Sequence, residues 1–221
     1  MATARKLLEE KLESHRHQLG EEHPDTLTAM VGLARTLCRQ GDWAGARKLQ
    51  EQVLAARRRL LGEEDPDTLK AASDLAVLLY SQGDLKGARE LQEQVLKEIR
   101  RVQGEEHLNT LTAMNNLAAT LKALGDLVAT QKLQKQVLET RRRLLGEEHP
   151  DTLTAMTNLA GTLCSQGDLA GVRELQERTL EACLRLLGEE HPSSLTAMNN
   201  LAATLKALGR VASDSYCSLS S

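Results

Sequence analysis

The sequence contains no phenylalanine, and aromatic residues make up only 1% of its 221 residues. Strands favour aromatic and β-branched side chains, so this scarcity argues against a β-sheet protein. It also argues against the aromatic platforms on which proteins stack single-stranded nucleic acid bases. Proline occurs only four times, whereas good helix formers such as alanine, leucine, glutamate and lysine are abundant. The composition therefore favours an all-α protein.

The sequence also lacks a strong charge bias, an apolar leader and a long apolar run. Its net charge of -3 gives no indication of nucleic acid or of a membrane surface as a partner. Residues 1–5 enter a charged stretch directly, and no apolar run reaches the roughly 18 residues of a membrane span. We therefore expect a cytoplasmic protein that binds neither nucleic acid nor membrane.

Cysteine is scarce as well, and the four cysteines lack the paired spacing of metal sites. They are Cys38, Cys164, Cys183 and Cys217. We expect reduced thiols, as in other proteins of reducing compartments. Cys38 and Cys164 occupy the same position of a repeat described below, three periods apart, so we expect them to lie too far apart for a disulfide.

What the sequence does contain is a repeat. Five glycines, Gly20, Gly62, Gly104, Gly146 and Gly188, follow one another at 42-residue intervals, and each opens a segment similar to GEEHPDTLTAM. A second set has the same spacing and consists of Gly41, Gly83, Gly125, Gly167 and Gly209. Sequence periods of this length are typical of stacked supersecondary units.

Each period predicts two helices, which we call helix A and helix B. In the first full period, helix A spans residues 24–40 and helix B spans residues 42–61. Their apolar residues recur in steps of three and four, which places them on one helical face. Pro24 suits the first helical turn, and Asp25 and Thr26 are expected to supply hydrogen-bond acceptors there. Gly41, in a left-handed conformation, and Gly62 are expected to end the two helices.

The pattern Leu33-Ala34, Gly41, Ala46, Val53-Leu54 resembles the tetratricopeptide repeat, although the period is 42 residues instead of about 34. NNLA, GDL and LLGEEHPDT resemble the kinesin light chain type of this repeat. The resemblance covers residues 1–209. It implies a right-handed α-solenoid of antiparallel helix pairs, a tetratricopeptide-like superhelix in which helix A lines a concave surface that binds protein or peptide partners.

Some small or β-branched packing positions depart from the pattern. Thr130 and Val172 align with Ala46 and Ala88, and Thr179 replaces the valine of helix B. Added volume is poorly tolerated in tight helix contacts, so these departures are expected to loosen the third and fourth helix pairs.

The predicted organisation is one repeat domain, residues 1–209. A half repeat, 1–19, precedes helix pairs starting near residues 20, 62, 104 and 146, and a lone helix, 188–209, ends the domain. Residues 210–221 lack a helical period and are expected to form a disordered tail. Both ends of the stack are uncapped, so self-association through them is possible.

The recurrent Glu-Glu-His supplies residues of the kind that bind metals, at His23, His107, His149 and His191. Equivalent residues of a translational repeat form a ladder, however, and neighbouring helices lie about 8–10 Å apart, so four such ligands do not converge on one ion. We interpret the motif as a turn and helix start. The arginine triplets 57–59 and 141–143 are interpreted as helix-end charges offset by the following glutamates. We expect no metal, no cofactor and no catalysis.

The candidate partner site is the outward surface of the A helices. The asparagine amide both donates and accepts hydrogen bonds, which suits the backbone of an extended peptide. Basic residues outnumber Asp74 on this surface, so we expect a preference for acidic peptides, as the resemblance also implies. The predicted groove residues are Asn115, Asn116, Asn158, Asn199, Asn200, Arg35, Arg39, Lys70, Lys122, Lys206 and Tyr80.

Two other functions remain open at this level. The array could be a sensor or regulatory part of a larger signalling NTPase. It could also be a designed or decayed array without a dedicated partner. The leading hypothesis is a protein–protein interaction scaffold, because a row of like units offers an extended surface and not a focused reactive centre.

Overall fold

The computed structural model describes the backbone of residues 2–219 and the side chains of residues 4–209. Within residues 2–219 every regular element is an α-helix, so the predicted all-α fold of helix pairs is confirmed. The ten helices of this part of the chain, α1 to α10 in order, are Ala2–Leu19, Pro24–Arg39, Trp43–Leu61, Pro66–Ser81, Leu85–Gln103, Leu108–Ala123, Leu127–Leu145, Pro150–Gln166, Leu169–Leu187 and Pro192–Leu219.

The helices form where the apolar stripes predict them. In α2, Leu27, Met30, Leu33 and Leu37 are 2–5% exposed and follow one another in steps of three and four. The observed bounds of α2 and α3 lie within one residue of the predicted ones. Hydrophobic periodicity and glycine spacing were therefore sufficient to place these elements.

The chain divides into two compact units, Met1–Thr120 and Leu121–Ser221. In the first unit α1 packs on α2, α2 on α3, α3 on α4 and α4 on α5. In the second unit α7 packs on α8, α8 on α9 and α9 on α10. Within each unit, these consecutive helices pack against one another, as expected for stacked pairs. The predicted single domain over residues 1–209 stays a prediction.

The two kinds of turn differ in backbone geometry. Between helices A and B, Gly41 has φ +80°, as predicted, and Gly167 lies in the left-handed region with φ 81° and ψ 6°. Between B and the next A, Gly62 and Gly146 have φ 90° with ψ of 171° and 166°. This second conformation is accessible essentially to glycine alone. Glycine therefore ends the two helices through two different conformations.

The A helices begin differently from the prediction. The hydroxyl of Thr26 does not accept a hydrogen bond in the first turn but donates one to the carbonyl of Gly20, at 2.8 Å. The acceptor for the first turn is His23, whose Nδ1 receives the backbone N–H of Asp25 at 3.2 Å. Thr26 is fully buried, so its hydroxyl ties the preceding turn to the core.

Helix α10 continues through Leu219, which differs from the disordered tail expected over residues 210–221. Gly209 does not have positive φ. The earlier glycines of its set are followed by an aspartate that caps the next helix, such as Asp42, whose side chain accepts the N–H of Gly45. Arg210 replaces that aspartate, so nothing in the local sequence starts a new helix. Residues 220–221 lie outside the described part of the chain.

Candidate functional site

In the first unit, a groove runs between α4 and α6, with α5 as its floor. It contains a cavity of about 460 Å³. Lys70 and Ser73 of α4 lie on one side, Thr112 and Asn116 of α6 on the other, and Ile99 of α5 beneath them. Two predicted site residues, Lys70 and Asn116, are therefore brought together here.

In the second unit, the corresponding groove lies between α8 and α10, above α9. It contains a cavity of about 250 Å³, which we call the α8–α10 cavity. Asn200, a predicted site residue, lies in its wall, opposite Thr157 of α8. Its full lining is Thr157, Ala160, Gly161, Cys164, Val172, Gln176, Thr179, Ala197, Asn200 and Thr204.

The A helices beside the two grooves carry different charged side chains. In the first unit, burial raises the pKa of the Asp74 carboxyl, and the positive charges of Lys70, Arg35 and Arg57 oppose that rise. In the second unit, Lys122 lies close to α8, because a Cβ placed on Gly161 would be 3.4 Å from its Nζ.

Acidic residues are rare on the A helices of the second unit. Asp151, in the first turn of α8, is the single acidic residue of α8 and of residues 192–209 in α10. The basic side chains along the groove of this unit therefore have few carboxylates on the A helices with which to pair.

The remaining predicted site residues lie on the surface without lining these cavities. Asn115 precedes Asn116, and Asn199 precedes Asn200, on the same helices, but successive helical side chains point about 100° apart. Among the described residues, the cavity linings include the second asparagine of each pair and not the first. The other predicted residues found outside the cavity linings, all exposed, are Arg35, Arg39, Tyr80, Lys122, Asn158 and Lys206.

The sequence prediction missed a ladder of glutamines at one position of the B helices. Gln50, Gln92, Gln134 and Gln176 are each 42 residues apart, and the first three are 5–8% exposed. Within the described residues, the Oε1 atom of each is buried without a hydrogen-bond partner. Their regular spacing was visible in the sequence, but glutamine is normally a surface residue, so nothing distinguished them from solvated positions.

The Glu-Glu-His segment is a helix start, as interpreted from the sequence. Nδ1 of His107, His149 and His191 accepts the backbone N–H two residues later at 3.1 Å, and Oδ1 of Asp65 does the same at 2.8 Å. Across the part of the chain that the structure describes, no three histidine, cysteine or acidic side chains are grouped as metal ligands.

The arginine triplets bind neighbouring acidic and carbonyl groups. Arg57 donates to the carbonyl of Asp67 at 2.8 Å, Arg58 pairs with Glu63 at 3.0 Å, and Arg59 pairs with Glu22. The second triplet repeats two of these contacts: Arg141 donates to the carbonyl of Asp151, and Arg142 pairs with Glu147. The predicted compensation by local acidic residues is confirmed.

The three cysteines whose side chains the structure describes were expected to be reduced, and no helix was expected to span a membrane. Cys38, Cys164 and Cys183 are free thiols, and burial raises the pKa of both Cys38 and Cys183. Cys217 lies outside the residues whose side chains the structure describes. Among the described helices, none combines the length and apolarity needed to cross a bilayer.

Sequence comparison identifies tetratricopeptide repeats along most of the chain. Residues 1–59, 28–97 and 67–129 match one form of the tetratricopeptide repeat, and residues 110–151 and 152–193 match another. No curated protein matches the chain.

Solved structures agree with the repeat assignment. Kinesin light chain tetratricopeptide-like repeats from Podosopora anserina are 30% identical with a TM-score of 0.77, and the match covers 85% of this chain and 89% of that one. A point variant of the same protein gives the same values. BtubC (BKLC) from P. vanneervenii is 27% identical with a TM-score of 0.75, and the match covers 94% of this chain and 82% of that one.

Proposed function

The chain belongs to the tetratricopeptide repeat family, in a kinesin light chain-like form, and from that premise we propose that it holds short acidic segments of partner proteins in the grooves of its A helices. The family membership itself indicates a protein–protein interaction scaffold. The groove as the binding surface and the acidic preference are the parts that we propose.

The observation that carries the proposal is the shared arrangement of the two grooves. In each unit an asparagine of the A helix on one side of the groove, Asn116 of α6 or Asn200 of α10, lies in the wall of a cavity between two A helices. Such an amide can donate to a peptide carbonyl and accept from a peptide N–H at the same time. An extended segment bound in either groove would therefore meet the same kind of contact.

The charges of the second unit support an acidic ligand. Lys122 lies against Gly161 there, whereas in the first groove Lys70 shares the cavity wall with Asp67. Exposed charges of this kind accelerate encounter and select the sign of the partner more than they add affinity. The proposed binding should therefore weaken as salt is added.

We also propose a cytoplasmic location and a role in binding instead of catalysis. The free thiols of Cys38, Cys164 and Cys183 support the location, because free thiols persist in reducing compartments.

The test uses the whole chain and a fluorescein-labelled peptide of glutamate, glycine and serine, followed by fluorescence anisotropy. The double variant Asn200→Ala, Lys122→Glu should weaken binding by about 5–30-fold, since it removes the amide in the groove wall and reverses one charge. The same peptide with glutamine in place of glutamate should bind more weakly to the unchanged protein.

The matched control is Lys135→Glu, which reverses an exposed charge on α7 away from the cavity-lining residues. It changes net charge by the same amount as Lys122→Glu. The groove is ruled out as the acidic-peptide site if the double variant binds the acidic peptide as tightly as the unchanged chain. It is also ruled out if Lys135→Glu loses as much affinity for that peptide as the double variant does.

A further inference from the structure

A cavity of about 320 Å³ opens on another side of α4, between the end of α3 and the helix α5. We call it the Ala72 cavity. Leu69, Ala72 and Val95 line it and are only 3–5% exposed, so they form its floor. Of the described residues that line the first-unit groove beside Lys70, only Leu69 also lines this cavity. Its volume is in the range where sites for small ligands begin, roughly 300 Å³.

Ala72 is an exception within the repeat. The equivalent residues of the other repeats are Met30, Met114, Met156 and Met198. The first three of these are 1–2% exposed, so the methionine at this position is a core side chain. In the second repeat its Cγ, Sδ and Cε atoms are missing.

Met156 shows where the missing atoms would lie. Its Sδ is 3.7 Å from Oγ1 of Thr179 on α9, so the side chain reaches from the A helix to the B helix that follows. Two periods earlier, the residues equivalent to Met156 and Thr179 are Ala72 and Val95, and both line the Ala72 cavity. The inner end of this cavity is therefore the space that a methionine thioether occupies in another repeat.

Val95 does not compensate for the missing atoms. Its equivalents in repeats that have the methionine, Val53 and Val137, are the same residue type. Where a large core side chain is replaced by a small one, the surroundings relax only in part, so space remains. The equivalent cavity of the first repeat has a similar volume, about 310 Å³, but Met30 stands in its lining. The two cavities thus differ in what lies at the bottom, methionine or alanine, and little in volume.

The rim of the Ala72 cavity carries more negative than positive charge. Arg58 and Glu63 line the cavity and pair with each other at 3.0 Å. Glu98 also lines it and pairs at 3.1 Å with Arg101, which is shared with a further carboxylate, that of Glu64. In this cluster three carboxylates meet two guanidinium groups, so the rim favours a ligand with a cationic group.

We propose that the Ala72 cavity is a docking site for a methionine side chain of a partner segment that has lysine or arginine beside that methionine. The unbranched thioether suits a narrow space that methionine fills elsewhere in the fold. The basic neighbours pair with the carboxylates of the rim. This site goes beyond the proposed function, because it lies on another side of α4 and selects positive instead of negative charge in its partner.

The test uses the whole chain and a peptide with the sequence glycine, lysine, methionine, lysine, glycine, in which the methionine methyl group carries carbon-13. NMR follows the methyl resonance, which should shift and broaden as protein is added. In competition, the same peptide with alanine in place of methionine should bind about 10-fold more weakly, because it buries less apolar surface. The peptide with glutamate in place of both lysines should bind about 2–5-fold more weakly, the range of exposed ion pairs.

Three variants locate the site. Ala72→Met should remove the methyl shift and raise the urea midpoint of unfolding, because it fills the space with the residue of the other repeats. Glu98→Gln should weaken binding of the lysine peptide by about 2–5-fold. The matched control Glu90→Gln removes an exposed charge from the same helix, outside the residues that line the cavity, and should leave binding unchanged.

The urea midpoint and the peptide binding each give a decisive result. A lower midpoint of Ala72→Met would show that the protein itself fills the space, and binding that survives in this variant would place the peptide elsewhere; either overturns the proposal. Equal competition by the alanine peptide, preference for the glutamate peptide, or an unshifted methyl resonance also overturns it. A higher midpoint together with lost binding in Ala72→Met supports the site, whether or not the acidic peptide binds in the grooves.

Discussion

At the scale of single residues, the histidines of the inter-pair turns act as helix caps. The imidazole Nδ1 of His149 takes the place that a serine, asparagine or aspartate side chain usually has at a helix start, accepting the N–H of Asp151 at 3.1 Å. Asp65 shows that a carboxylate satisfies the same position. The capping geometry requires an acceptor at this point and does not require a histidine.

This equivalence gives a first prediction. His149→Ala should lower the free energy of unfolding by about 0.5–2 kcal/mol, because the helix loses its side-chain acceptor. His149→Asp should retain most of the stability, because the same position in the second repeat is Asp65. Urea denaturation followed by circular dichroism measures both; an aspartate variant as unstable as the alanine variant would contradict the capping role.

Asp74 is the residue whose electrostatics depart most from its repeat equivalents, which are Asn116, Asn158 and Asn200. Burial raises the pKa of its carboxyl, and Lys70, Arg35 and Arg57 only partly oppose this. The folded chain therefore binds a proton at Asp74 more tightly than the unfolded chain. Its contribution to stability is present at low pH and is lost as pH rises through the folded pKa.

A second prediction follows for Asp74→Asn. At neutral pH this variant should be more stable than the unchanged chain by about 0.5 kcal/mol or less, because partial exposure screens the effect. The difference should vanish near pH 3, where the carboxyl is neutral in both states. Urea titrations at the two pH values test this; a variant that is less stable at neutral pH would show that the attraction to Lys70 and Arg35 outweighs burial.

At the scale of helices, the two kinds of glycine turn differ in which residues their backbone conformations accept. Gly167 lies in the left-handed region, which asparagine also adopts at modest cost. Gly146, with φ 90° and ψ 166°, lies where side chains with a Cβ are strained. The ends of the A helices should therefore tolerate substitution better than the ends of the B helices.

The third prediction compares these two turns. Gly146→Ala should reduce the free energy of unfolding by about 1–3 kcal/mol through backbone strain. Gly167→Asn should cost about 1 kcal/mol or less, because asparagine tolerates the left-handed region. No atom lies within 4 Å of a Cβ built at either glycine, so steric contact does not confuse the comparison. Equal costs in chemical denaturation would refute the distinction.

At the scale of the whole molecule, the two ends of the chain present different surfaces. Leu195 and Leu205 of α10 are 48% and 46% exposed, whereas their equivalents Leu111 and Leu121 are 1% and 4% exposed. At the other end, Lys11 of α1 stands at the position of Val53, which is fully buried. A charge there opposes burial against another apolar face, so self-association is expected through α10.

The fourth prediction concerns that association. Sedimentation velocity over a concentration series should show self-association of the unchanged chain, and Leu195→Glu with Leu205→Glu should remove it, because carboxylates are costly to bury without partners. Lys11→Glu, at the opposite end, provides the control and should leave association unchanged. A monomer at every concentration would reject the predicted self-association.

Local sequence signals were sufficient for the order of the helices, for the bounds of α2 and α3 within one residue, and for the glycine turns. These features depend on apolar steps of three and four and on glycines at positive φ, whereas the end of α10 was not predicted. Tertiary packing determines which asparagine of each adjacent pair lines a cavity, and these are Asn116 and Asn200 rather than Asn115 and Asn199. Tertiary packing also buries the Oε1 atoms of the repeated glutamines of the B helices. These features depend on how each helix is rotated against neighbours far away in sequence, and no local pattern specifies that rotation.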